Sequence, residues 1–172
     1  KSFYRILACY ELLNQTKKIK GDVVEFGIWN GNNLFTMKKI IDFLKMKKKV
    51  IGYDNFKGFP NPESFKNKKF IKKHLGVYAG DQSLIRYIIK FYKLKNIKII
   101  NDDIFNLKHH LNIFSKLSFI YIDCNIYETT VEILDLLNSK LSVGGIIAFD
   151  EGTLSKNSGE GKAIHEFYLR NK

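Results

Sequence analysis

Cysteine and proline are scarce in this 172-residue chain, at two residues each. Cys9 and Cys124 can build no framework of bridges and show no metal-ligand spacing, which fits a reducing compartment. Cys124 reads as a small filler beside Asp123 rather than as a nucleophile. The two prolines, Pro60 and Pro62, fall in one stretch, and no linker or internal repeat divides the chain. Long apolar runs are also missing: all are under ten residues, against the roughly 20 that a membrane helix needs. No charged-then-apolar leader opens the sequence. The expectation is a soluble, cytoplasmic protein with no membrane partner. Acidic residues are outnumbered, 17 against 29 lysines and arginines, for a net charge of +12. Such a balance ordinarily raises a nucleic-acid reading. Here the lysines lie in short runs between elements, as at 17–20, 47–49, 66–69 and 72–73, rather than along one helix face. They read as solvated surface.

With 45% hydrophobic residues the chain can build one ordinary core. Its organising stretch is FIYIDCNIYET, 119–129, a buried-strand run that ends in Asp123. A carboxylate at the C-terminal tip of a parallel strand faces the crevice where open α/β sheets bind ligands. A second run, GGIIAFDEG at 144–152, delivers Asp150 and Glu151 in the same way. Carboxylates are rarely buried without a partner, and a cation is the natural partner for three of them at one edge.

Upstream, Phe3, Leu7, Tyr10 and Leu13 predict an amphipathic helix over 2–15 that covers the sheet and carries no chemistry. GDVVEFGIWNGNN, 21–33, then reads as a strand, a glycine turn at Gly27 and Gly31, and a helix through Leu34, Met37, Ile41 and Leu44. Val23, Val24, Glu25 and Phe26 make up that strand. This arrangement lets backbone approach a ligand closely. The next strand, within 47–60, ends in Asp54, placed to accept hydrogen bonds from ribose hydroxyls and so to imply a nucleoside-containing cofactor. Residues 55–80 form a long loop suited to substrate contacts. Asp81 caps a helix with Ile85, Ile88, Ile89 and Tyr92 on one face. The strand within 96–103 ends in Asp102 and Asp103, either of which reaches an adenine amino group or caps a turn. His109 and His110 read as surface histidines. Val131, Leu134, Leu137 and Leu141 mark another covering helix, Ser142 and Gly144-Gly145 a turn into the fifth strand, and 159–172 a last helix with Ala163, Ile164, Phe167 and Tyr168 inward.

The segments GDVVEFGIWNGNN, VIGYDNFKGFP, FIYIDCNIYETT, GGIIAFDE and GEGKAIHEF, in this order and spacing, resemble the macrocin O-methyltransferase family. The resemblance covers about 20–170. It implies a Rossmann-like class I methyltransferase fold, a mainly parallel α/β sheet with helices on both faces. It also implies S-adenosylmethionine as methyl donor, Mg²⁺ or another divalent cation, and a sugar-containing small molecule as acceptor. By position, Glu25, Gly27 and Gly31 would form the methionine side of the cofactor site, Asp54 would hold the ribose and Asp103 would sit near the adenine. Asp123, Asp150 and Glu151 would be the metal ligands, with Glu151 where the family commonly has a second Asp. The family's sheet closes with a C-terminal hairpin for which no residues remain, and the chain opens at Lys1; the expectation is one domain over 1–172, truncated at its C-terminus.

One departure bears on catalysis. The family reads D-x-D-x-Y and its second acid acts as general base, whereas this chain has Asn125, and an amide cannot take a proton at physiological pH. Another base, with His165 or Glu63 as candidates, activation by the metal, or cofactor binding with little activity are the alternatives. A non-sugar hydroxyl as acceptor and a degenerate cofactor-binding module stay open as rivals, as does self-association. The Asn/Asp-Pro-Pro-aromatic signature for methylating base amino groups is missing, which disfavours nucleic acid.

Overall fold

The computed structural model describes residues 3–59, 65, 72–150 and 159–171. Five strands, β1 (Asp22–Phe26), β2 (Val50–Asp54), β3 (Ile97–Asn101), β4 (Leu117–Ile122) and β5 (Leu141–Phe149), form one sheet in the order β3-β2-β1-β4-β5. Every neighbouring pair is parallel. β4 is buried along its whole length, and β1 along all but its first residue. That is why both read as continuous apolar runs rather than alternating ones. Chain order reverses between β1 and β4, the switch point at whose C-terminal side such sheets bind ligands.

Helices cover both faces, as expected. On one face α1 (Phe3–Gln15), α2 (Asn32–Phe43) and α3 (Gln82–Phe91) pack through Cys9, Leu13, Leu34, Met37, Ile41 and Ile85 onto Val23 and Phe119. On the other, a 3₁₀ segment (Ile104–Ile113), α4 (Tyr127–Leu137) and α5 (Gly159–Arg170) pack around Phe26, Tyr53, Ile120 and Phe114. Asp81 caps α3, its carboxylate accepting from the Ser83 and Leu84 amides at 2.9 and 3.0 Å. Among the described residues no helix is long and apolar enough to cross a membrane.

Several expected faces shift. The buried stripe of α1 is Cys9 and Leu13, while Phe3 and Leu7 are exposed. Tyr92 and Tyr168, read as inward, are also exposed. Leu141 opens β5 instead of ending a helix, and Gly144, at φ +79, lies inside that strand where the pairing register jumps. Periodicity misplaces these residues because the sheet offers each helix only a narrow strip. Lys48, expected in a solvated run, is buried. Its ammonium donates to the Ile19 and Gly21 carbonyls and to Ser118 Oγ, the last at 2.9 Å. Burial pushes its pKa down, opposed by the Asp22 carboxylate.

Gly27, at φ +81, ends β1, and a Cβ there would lie 2.0 Å from the backbone oxygen of Asp123. Both objections are to backbone, which cannot swing aside. Gly27→Ala is expected to lower stability by roughly 2–4 kcal/mol, read from the urea midpoint at unchanged slope.

Candidate active site

Strand register fixes the site. Phe26 pairs with Tyr53 on one side and Ile122 on the other, and Ile122 pairs with Phe149. One step further along each strand stand Asp54, Gly27, Asp123 and Asp150, a single rung just past the C-terminal edge. Backbone bonds carry the ladder into that rung: Gly27 donates to Tyr53 O at 3.0 Å, Asp123 to Phe26 O at 2.9 Å and Asp150 to Ile122 O at 3.0 Å. All four residues line one cavity of about 380 Å³.

Of the residues singled out in the sequence, Gly27, Asp54, Asp103, Asp123, Asn125 and Asp150 line this cavity. Glu25 and Gly31 do not. Glu25 is 1% exposed and accepts a hydrogen bond from Asn33 Nδ2 at 3.0 Å, beneath the turn. Gly31, at φ +78, is the residue from which α2 starts, and a Cβ there would press on the Phe35 ring. Both shape the turn from behind. Glu63 and Glu151 lie outside the described residues. His165 is half-buried on α5 and is not part of the cavity wall.

Asp54 accepts from the Trp29 amide at 2.8 Å and the Phe56 amide at 2.7 Å, so it ties the glycine turn to the loop after β2. Trp29 and Phe56 both hold left-handed backbone, at φ +47 and +58. Strain of this kind persists where surrounding bonds over-determine it. Burial raises the Asp54 pKa, while the amides of Phe56 and Trp29 pull it back. The two acids after β3 divide their roles. Asp103 caps the Phe105 amide at 3.0 Å and faces the cavity. Asp102 turns away, bonded to Asn106 Nδ2 and to His110 Nε2, both at 2.7 Å. These bonds hold its carboxyl down to about 2. His110 is therefore a structural partner, packed edge-on against Tyr53, and not a plain surface histidine.

The acid that follows β5 is held by two side chains. Asp150 Oδ1 accepts from the Tyr121 hydroxyl and Oδ2 from Arg5 Nη2, each at 2.5 Å. Burial first, then the Asp150 bond, raises the Tyr121 pKa. Asp123 and Asp150 are oxygen donors of the kind a hard cation takes. Among the described residues no three His, Cys, Asp or Glu side chains are grouped for a metal, and the third expected acid, Glu151, is not among them. Cys124, half-buried, lines the cavity too, its thiol pKa pushed up by desolvation and by the Glu160, Asp123 and Asp54 carboxylates.

Sequence reasoning missed two residues. Arg5 of α1, the helix expected to carry no chemistry, reaches the cavity. A lone arginine on an amphipathic helix gives no signal for that. Glu160, 1% exposed at the start of α5, directs its carboxylate to the Cys124 amide at 3.5 Å. Its place beside Gly159 and Gly161 was the available clue. Asn125 adds a backbone fact: it sits at φ +59, with its carbonyl packed against Gly159. Asparagine and aspartate are the side chains that tolerate this region best.

This architecture is that of a class I methyltransferase. Residues 5–172 match the macrocin-O-methyltransferase (TylF) family. The chain belongs to that family and is an S-adenosylmethionine-dependent O-methyltransferase. Among solved structures it is similar to the O-methyltransferase NovP, with a TM-score of 0.83 and 21% identity over 97% of this chain and 72% of that one. The calicheamicin methyltransferase CalS11 gives 0.74 and 20%, covering 95% and 70%. An O-methyltransferase from Bacillus cereus, in complex with SAH, gives 0.63 and 13%, covering 99% and 69%. No curated protein sequence matches the chain.

Two expectations follow. Asn125→Ala lowers stability by about 1 kcal/mol, whereas Asn125→Gly stays within about 0.5 kcal/mol of the parent; paired urea titrations read both. Asp54, with its raised pKa, binds its proton more tightly in the folded state than in the unfolded chain. It therefore subtracts stability as pH rises from its ordinary 3.8 through its raised folded value. Asp54→Asn removes that component, so the stability difference between variant and parent grows with pH across this window and is flat above it.

Proposed function

We propose that this enzyme methylates a hydroxyl of a sugar-containing small molecule, using a divalent cation such as Mg²⁺ held by Asp123, Asp150 and Glu151. The observation that carries the reading is the rung itself. It sets two carboxylates on adjacent strand tips, with the donor-side acid Asp54 across Gly27 on the same cavity. The donor chemistry fits a hard cation, and Asp150 already holds a positive group at this place. CalS11, similar in fold, is described as a TDP-rhamnose 3'-O-methyltransferase, which supports a sugar acceptor.

In this reading Gly27 lets the β1 turn approach the donor, with Glu25 and Gly31 bracing that turn. Asp54 accepts the ribose hydroxyls with the lone pairs its two amide bonds leave. Asp103 lies at the adenine end beside Ile104 and Phe105, which with Ile126 give apolar walls. A divalent cation held there would supply Lewis-acid chemistry, lowering the pKa of the acceptor hydroxyl so that its proton could pass to solvent water as the new O–C bond forms and the S–C bond breaks, leaving S-adenosylhomocysteine. Asn125 orients that hydroxyl through its amide and takes no proton. Alignment of oxygen, methyl carbon and sulfur in line, with water displaced, is the protein's remaining contribution.

Calorimetry with S-adenosylhomocysteine, with and without Mg²⁺, is the first test, followed by turnover on nucleotide sugars. Asp150→Ala is expected to abolish metal-dependent turnover; full activity in excess chelator would sink the cation reading. Turnover on catechol-type hydroxyls but not on sugars would move the acceptor to the other class. Asn125→Asp, which keeps the backbone conformation, is expected to raise kcat at least about tenfold if a proton acceptor at 125 is what limits the rate. No gain means position 125 is not the missing base, and the proton of the acidified hydroxyl then leaves to solvent water or to another side chain.

A further inference from the structure

Arg5 stands where the cation would. Its Nη2 lies 2.5 Å from Asp150 Oδ2, and the side chains are 29% and 10% exposed. Tyr121 holds the other oxygen. The carboxylate that the proposed function assigns to a divalent cation is thus satisfied by two donors, one of them positively charged. A guanidinium at this distance and a divalent cation on the same carboxylate repel each other across a space partly shielded from water, where Coulomb terms exceed their bulk-water size.

The helix that brings Arg5 is built to let go. Phe3, Tyr4, Ile6, Leu7 and Ala8 are exposed, Tyr4 at 80%, and burial in α1 begins at Cys9. No acidic residue in the first turn offsets the helix dipole. Releasing these turns uncovers the covered parts of Ile6 and Leu7, 43% and 47% exposed as they stand, but no fully buried side chain, which places them toward the low-stability end of the molecule. From Cys9 onward α1 is fixed: Cys9 and Leu13 are buried, and Tyr10 packs against Phe43 at 6.4 Å.

We propose that Arg5 is a positioning residue that competes with the divalent cation for Asp150, so that cation entry unlatches the first two turns of α1 from the cavity. This rests on the cation reading above. Without the cation, Arg5 keeps Asp150 partnered and in place; with it, the guanidinium is freed at the cavity mouth.

The test is Mg²⁺ titration by calorimetry on the S-adenosylhomocysteine-saturated enzyme, comparing wild type with Arg5→Gln. Competition predicts Mg²⁺ binding tighter by about tenfold in Arg5→Gln, the change expected on removing one rival charge-assisted hydrogen bond. An Arg5 that merely braces the site gives the opposite sign, weaker binding, and that result or no change overturns the proposal. Hydrogen exchange on the wild type is the second measurement and does not depend on the variant folding. Mg²⁺ should speed exchange at the amides of Leu7 to Tyr10 while leaving α2 unchanged; slower or unaltered exchange there also overturns it. A wild type that takes up no Mg²⁺ fails the cation reading itself, whereas uptake without the Arg5 effect fails only the competition.

Discussion

The pairing register of four parallel strands is the constraint on which the site depends. Because Tyr53, Phe26, Ile122 and Phe149 lie level across the sheet, the residue that follows each falls on one rung: Asp54, the last residue of β2, and Gly27, Asp123 and Asp150, each just past its strand. A slip of one residue in any pair would turn a strand's side chains to the opposite face and pull its acid off that rung. The glycine between two of the acids is as necessary as the acids. With any side chain at 27, β1 could not approach the Asp123 carbonyl, and the switch point would be pried open. Core burial on both faces of β1 and β4 holds the register, so the packing that stabilises the fold also sets the spacing of the charges.

The acids at this end of the sheet are managed by different means. Asp54 is half-buried and held by backbone amides, so desolvation raises its proton affinity while the amides lower it. Asp150 is clamped by a phenol and a guanidinium from two distant parts of the chain, 29 and 145 residues away. Asp103 and Asp102, adjacent in sequence, part company: one caps a helical turn at the cavity and the other anchors His110. Identical side chains thus acquire different chemistry from neighbours that only the fold assembles.

Much of this was legible in the sequence. Strand-tip acids, the glycine turn and the covering helices could be read from run length and spacing, because a residue's position at the end of a buried strand is a local property. What stayed hidden depends on contacts between distant segments. The inward role of Arg5, the burial of Lys48 and of Glu160, and the retreat of Glu25 and Gly31 behind the turn follow from which segments meet across the sheet. Aromatic residues were over-assigned to the interior: Phe3, Tyr92 and Tyr168 have the right period and still face outward, since hydrophobic surface exceeds what one sheet face can cover.

The left-handed backbone at Asn125 has an evolutionary consequence. Carboxylate and amide are close to equal in shape, and both tolerate φ +59, so exchange between them at this position passes through no misfolded intermediate. A lineage can lose or regain a proton acceptor in one codon step while every helix and strand stays as it was. If position 125 carries the catalytic role proposed for it, turnover in this fold is free to change there separately from stability.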